Sequence, residues 1–362
     1  MLSHLQAGHR CALRVLGLLV AVGGIAAAQE KDARPPSALS DLKIGADTAS
    51  WMSCFHRAGS GLDGLTLKQI CIPGTHDAGS YQALGAKGVI ASRWVITQKL
   101  NLREQLEAGA RRLDLRVMKV PEGADEGELE AGFYIHHGGF ATVALGKALE
   151  QLKAYLDSDA ARTETVLLEF SHFKGMTPGQ NEGSDYAALL GQIEEAIGRH
   201  LLKRPEGDHS FIDLPLRKLK GKAVLLVQTG SFFEGVPDSP VVHRLHRDRP
   251  IYDRYANKDQ TAAMVADQAK KFRDYQADDS LFLLNWTLTP GRSLRSTGGV
   301  RNLAADANPQ LLKHFNDPAL PFARPNEAGR IINVINVDFF GVRECEVLKV
   351  CVEVMRNSAR PR

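Results

Sequence analysis

The chain is poor in cysteine, carries almost no excess charge of either sign, and has no apolar run long enough to cross a bilayer. Five of its 362 residues are cysteine, and none lies in a Cys-x-x-Cys or Cys-x-x-His spacing. That argues against a structural zinc site. Lys and Arg number 45 against 42 Asp and Glu, a formal charge of +3. So small an excess excludes proteins that bind nucleic acid or anionic membrane through a strong positive field. No low-complexity tract is present.

What is there begins with His9, Arg10 and Arg14, then an apolar run from Val15 to Ala28 that closes in Ala26-Ala27-Ala28. A charged start, a short apolar stretch and small residues at its end predict a secretory signal peptide over residues 1–28. The run falls short of the roughly 20 residues a spanning helix needs. Cys11 precedes it, and Gly8-His9-Arg10 is no lipobox. Residues 1–28 carry two arginines and no acid, so the exported chain has a formal charge of +1. A secreted or periplasmic protein is therefore expected. Its four cysteines, Cys54, Cys71, Cys345 and Cys351, permit three pairings, of which the local Cys54–Cys71 and Cys345–Cys351 are expected first.

Residues 29–48, with Pro35-Pro36 and scattered charge, read as a loosely ordered lead-in to one domain over 49–362. Strands are predicted at 67–72, 111–117, 132–136, 165–170, 222–228, 280–287 and 331–337. Helices are predicted at 51–55, 100–108, 144–157, 185–203, 259–276 and 344–356, with another starting at Asn308-Pro309. Pro73-Gly74 is taken as the stop after the first strand. Residues 229–256 and 289–306 read as long loops. Strands alternating with helices predict an α/β fold, a distorted or incomplete TIM (β/α) barrel in a single domain.

Polar residues recur at the predicted strand ends: His76-Asp77, Asp114 with Arg116, His136-His137, Glu169 with Ser171, Gln228, Asn285-Trp286 and Asp338. Parallel strands would aim them at one mouth, where a barrel core otherwise prefers branched apolar side chains. Alternation sends the rings of His136 and His137 to opposite sides, so only one can face a shared pocket. Two imidazoles can exchange protons with an attacking hydroxyl and a leaving oxygen. One guanidinium can neutralise phosphoryl oxygens with its planar fork. This set of groups suits phosphodiester cleavage.

Ile72-Pro73-Gly74-Thr75-His76-Asp77-Ala78-Gly79, Arg111-Arg112-Leu113-Asp114-Leu115-Arg116 and His136-His137-Gly138 resemble the X domain of bacterial phosphatidylinositol-specific phospholipase C. The likeness extends to Trp51-Met52, Trp94-Val95-Ile96-Thr97-Gln98, Ser296-Thr297-Gly298-Gly299 and 333–338. It implies a distorted TIM barrel with His76 as general base and His137 as general acid. It also implies Asp338 orienting His76, Asp77 assisting His137, and Asp114 and Arg116 beside the phosphate.

An acidic residue stands where Arg116 is in the calcium-dependent relatives, so the resemblance implies chemistry with no metal and no cofactor. Ser171 aligns where the bacterial enzymes carry a lysine and Gln228 where they carry an arginine, and Glu169 replaces a neutral residue. Glu169, Ser171, Gln228, Asn285 and Trp286 are the candidate substrate contacts. The expected partner is a phospholipid at a membrane surface, with no nucleic acid, no protein partner and a monomeric state. Phe232, Phe233 and Trp286 could touch lipid. Two alternatives stand beside this reading. One is a metal-dependent glycerophosphodiesterase or sphingomyelinase D-like barrel, which Arg116 suits badly; the other is a non-catalytic lipid- or glycan-binding module on the same fold.

Overall fold

Short runs rich in Leu, Val and Ile, buried on both faces, can be satisfied only by parallel neighbours under a helical cover. The computed structural model describes residues 37–123, 129–176, 184–206, 210–228, 238–245, 250–291, 298–341 and 346–360. The expected signal peptide, Phe232, Phe233, Ser296, Thr297 and Cys345 lie outside them. Ten strands follow in chain order: β1 Ile72–Thr75, β2 Arg112–Val120, β3 Gly132–His137, β4 Phe140–Ala144, β5 Thr165–Lys174, β6 Lys222–Gln228, β7 Val242–Leu245, β8 Ile251–Asp253, β9 Leu281–Trp286 and β10 Val334–Val337. The helices are α1 Gly85–Ile90, α2 Ser92–Val95, α3 Leu102–Glu107, α4 Leu145–Leu156, α5 Asp185–Ile197, α6 Leu216–Leu219, α7 Thr261–Asp274, α8 Val300–Ala307, α9 Leu311–Phe315 and α10 Val347–Ser358.

Eight strands form a nearly closed parallel barrel in the order β7-β6-β5-β2-β1-β10-β9-β8. Among the described residues no ladder joins β7 to β8, so the barrel is incomplete as expected. Two staves, β7 and β8, come from the stretch read as an irregular loop. Three or four residues each are too few to show a period in the sequence. The predicted third strand is not a stave. β3 and β4 form an antiparallel hairpin that pairs with the far end of β2, Val117 opposite Ile135.

The first stave also differs from expectation. Leu67–Gln69 is a single 3-10 turn capped by Thr66, and β1 itself runs through Pro73-Gly74. Proline is tolerated there because β2 pairs with β1 only from Gly74 onward, so Pro73 faces no ladder acceptor on that side. Glycine is required beside it: a Cβ on Gly74 would lie 2.9 Å from Val334 and 3.0 Å from the Asn336 amide inside the barrel.

Leu39 and Leu42 are buried in the core, and Arg356 on α10 donates to the Leu42 carbonyl, so the lead-in is packed from there. Residues 300–306, read as loop, lie in α8. Cys54, Cys71 and Cys351 are free, buried thiols, which overturns the Cys54–Cys71 pairing. Cys71 instead lies beside Cys351, where α10 packs on β1. Among the described residues no helix is long and apolar enough to cross a membrane.

Candidate active site

Because the staves are parallel, side chains at their C-terminal ends share one mouth. His76 follows β1 and Asp338 follows β10, which pair in register, and Asp338 Oδ1 lies 2.7 Å from His76 Nδ1. Asp114 and Arg116 leave β2 on one face, as their spacing of two demands. Arg116 Nη2 reaches Asp114 Oδ2 at 3.1 Å and His76 Nε2 at 3.0 Å. His137 arrives from the β3–β4 hairpin. Its Nδ1 donates to the Val95 carbonyl, 2.9 Å away, which turns Nε2 to the centre.

Asp77 joins these groups. Its Oδ2 is 3.2 Å from His76 Nε2 and 3.3 Å from His137 Nε2, and its Oδ1 is 2.7 Å from Arg116 Nε. The last contact is close but poorly aligned, an ion pair more than a directed hydrogen bond. Asp77 is held at φ +44, one of four non-glycine residues with positive φ among those described. Two of the others, His172 and Phe339, also lie where staves meet the mouth. Gln98 braces the arrangement: its amide donates to the carbonyls of His76 and Val337 and accepts from Phe340 N.

The electrostatics follow from this packing. Burial works against a charged His76, but Asp77 and Asp338 outweigh it and push its pKa up to about 9. Burial would raise Asp114, yet Arg116 and Arg112 hold it far below the usual carboxylate range. Arg116 stays charged, since Asp114 and Asp77 more than offset its burial. The atoms of His76, Asp77 and Asp114 that could hold a metal ion lie within 4.8 Å of one another. All three face the Arg116 guanidinium instead. A dication does not fit this donor set while that fixed cation stands in it.

The expected substrate contacts divide. Ser171 Oγ donates to Asp114 Oδ1 at 3.4 Å and lies 2.8 Å from His172 Nδ1. Gln228 accepts from the His172 N–H at 2.8 Å, so both residues position His172. Glu169 lies deeper, paired with the buried Arg112 at 2.7 Å, and burial pushes its pKa up to about 7 despite that partner. Asn285 is fully buried and donates to Asp253 at 2.5 Å. Trp286 is a correction: its indole is buried and donates to the Ala307 carbonyl, so it touches neither mouth nor lipid. Of the pair His136-His137 one ring alone faces the centre, as alternation demands: His137 does, and His136 is turned away, bonded to the His172 carbonyl.

Sequence reasoning missed Tyr255 and Asp253, both in or beside β8. The Tyr255 hydroxyl accepts from Arg116 at 3.1 Å, and its ring lies 5.4 Å from that of His76. Burial raises its pKa, so the hydroxyl keeps a proton to donate. No period marks so short a strand; the aromatic and acidic residues of 250–255 were the available signal.

No family model matches the chain. It is 27% identical over 322 residues to PI-PLC X domain-containing protein 3 of Danio rerio, covering 82% of this chain and 90% of that one. The barrel superposes on phosphatidylinositol-specific phospholipase C from Listeria monocytogenes with a TM-score of 0.59 at 21% identity, covering 85% of this chain and 98% of that one. In sequence the chain is similar to the PI-PLC X domain-containing proteins, and in fold to the bacterial phosphatidylinositol-specific phospholipases C. A second relative, the variant-surface-glycoprotein phospholipase C of Trypanosoma cruzi, is 30% identical over 165 residues. There the match covers 39% of this chain and 40% of that protein.

Proposed function

We propose that this chain is a phospholipase C-type phosphodiesterase that cleaves a phospholipid on the glycerol side of its phosphate, with two histidines as acid and base and no metal ion. The observation that carries this reading is the convergence of two imidazole Nε2 atoms and one guanidinium on a single carboxylate, Asp77, within 3.3 Å. The names borne by the Trypanosoma and Listeria proteins support the phospholipid class.

In this reading His76, its Nδ1 proton fixed on Asp338, takes a proton at Nε2 from a headgroup hydroxyl beside the phosphate. That oxygen attacks phosphorus. Arg116 neutralises the charge that develops on the phosphoryl oxygens. His137, oriented by Val95, gives its Nε2 proton to the departing diacylglycerol, and a cyclic phosphodiester leaves. The test is incubation with phospholipid vesicles of defined headgroup, with and without chelator, followed by phosphorus NMR. A cyclic phosphate formed equally in both arms is expected. Activity lost to chelator and restored by magnesium or calcium would favour a metal-dependent barrel instead.

The raised pKa of His76 has a consequence for pH. The base must be neutral, so kcat/KM should climb as pH rises toward about 9. Asp338→Asn removes one of the two carboxylates that hold the proton. Its rising limb should therefore shift toward lower pH while its plateau drops. A limb that stays in place would show that Asp338 does not set the charge of His76.

A lipid substrate also requires a way onto the membrane. The loop that carries α1 and α2 leaves and returns at the mouth, where the N–H groups of Thr97 and Gln98 both bond to the Ser80 carbonyl. On α1, Val89 is 60% and Ile90 83% exposed, the large apolar residues left open among those described. Exposed aliphatic residues beside a mouth fit a lipid-facing rim. Changing both to Asp should weaken binding to phosphatidylinositol vesicles at least about tenfold in a sedimentation assay, with folding unaffected. Unchanged binding would place the lipid contact elsewhere.

A further inference from the structure

His172 is held in place by more contacts than an ordinary loop residue needs. β2 and β5 pair in parallel, but their register slips between Arg116 and Met118, where Ser171 and Lys174 are the partners. Two residues of β5, His172 and Phe173, thus stand opposite Val117 alone. This is a bulge, and His172 occupies its first position at φ +48, a conformation that glycine adopts at least cost. A histidine there costs on the order of 1 kcal/mol and persists only where its surroundings fix it.

Three contacts do so. The His172 N–H donates to Gln228 at 2.8 Å, its carbonyl accepts from His136 Nε2 at 2.9 Å, and its Nδ1 lies 2.8 Å from Ser171 Oγ. Regular alternation would turn residue 172 away from Ser171; the bulge brings the ring over it. The residue is exposed at the mouth, and a chain of contacts runs from its ring through Ser171 and Asp114 to Arg116. The Ser171 hydroxyl engages Nδ1 at 2.8 Å, which leaves Nε2 as the ring nitrogen open to a ligand. Among the described residues Nε2 has no partner.

We infer that His172 reads the headgroup: its Nε2 shares a hydrogen bond with a headgroup hydroxyl other than the one that attacks phosphorus, selecting a polyhydroxylated ring over a simple diol. The assignment rests on the phosphodiesterase reading above. Partial burial and the nearby Arg116 depress the imidazole's pKa, against the pull of Asp114, Asp77 and Asp253, which favours a neutral ring. Bulges next to catalytic groups serve to re-aim a side chain, and no step assigned to His76, His137 or Arg116 needs this one.

The test compares two soluble substrates, the nitrophenyl phosphodiesters of myo-inositol and of propanediol. Both offer an attacking hydroxyl, and only the first has others. His172→Asn and His172→Gly both tolerate the left-handed backbone, so each should unfold at or above the wild-type temperature. Each should lower the ratio of kcat/KM for the inositol ester to that for the propanediol ester at least about fivefold, chiefly through KM, the size of one lost hydrogen bond. A ratio that does not move overturns the assignment, whether both rates hold or both fall. If the unaltered protein cleaves neither ester and leaves phosphatidylinositol vesicles intact, the phosphodiesterase reading falls and takes this one with it.

Discussion

His76→Ala and His137→Ala are each expected to lower turnover at least about 10²-fold, the usual scale for removing a general acid or base. The two losses should not multiply. Both rings address the same Asp77 carboxylate and the same proton inventory, so the double variant should be little slower than the worse single one. The ester with a nitrophenolate leaving group separates their roles. Nitrophenolate departs without a proton, so His137→Ala should recover most of its rate on that substrate, whereas His76→Ala should not. Circular dichroism and the unfolding midpoint would show whether each variant is folded. If both variants turn over vesicle phospholipid at the wild-type rate, the acid–base assignment is wrong.

The reach of the sequence in this protein follows element length and the range of each signal. The longer staves, β2, β5, β6 and β9, declare themselves by apolar runs bounded by helical segments, and so does the parallel barrel they imply. β7 and β8 do not, because three or four residues carry no period, and with them went Asp253 and Tyr255. Pro73-Gly74 misled for a physical reason: both are breakers on their own, and only the late start of β2 and the crowding by Val334 and Asn336 make them fit inside a stave. His76, Asp338, Arg116 and His137 were legible because a charged or titratable residue at a strand end is costly without a use. Trp286 misled for the opposite reason. An indole with a partner for its N–H is as satisfied in a core as at a rim, and its sequence neighbours do not say which. His172 was invisible because a bulge in a parallel ladder leaves no trace in composition.

Arg111 and Arg112 show the same limit within one dipeptide, and they yield the second large prediction. Alternation sends Arg112 into the barrel interior, to Glu169 and Asn336, and Arg111 the opposite way, to Glu164. Arg111 is fully buried. Its Nε donates to Glu164 at 2.7 Å, Nη1 to the carbonyls of Leu106 and Ala110, and Nη2 to those of Thr48 and Ala49. Trp51 and Tyr155 flank it within 5.8 Å. Glu164 also accepts from the Met52 N–H. One guanidinium therefore ties the 48–56 segment, α3 and the start of β5 together beneath the barrel.

Arg111→Met should destabilise the fold by about 3–5 kcal/mol, since it leaves a buried carboxylate without its cation and takes a donor from four backbone carbonyls, of which Ala49 and Leu106 keep another, from the Tyr155 hydroxyl and the Gly109 N–H. Glu164→Leu alone strands the cation and should cost a similar amount. The double change, Arg111→Met with Glu164→Leu, removes both charges and should recover part of the loss, because a buried pair often contributes little over its apolar replacement. Urea midpoints of the four proteins close the cycle. Turnover per folded molecule at low temperature should be unchanged in all of them, as the pair lies at the opposite end of the staves from His76. A loss below about 1 kcal/mol in Arg111→Met would mean that water reaches and satisfies the orphaned groups, so that the arginine does not hold that end of the barrel together.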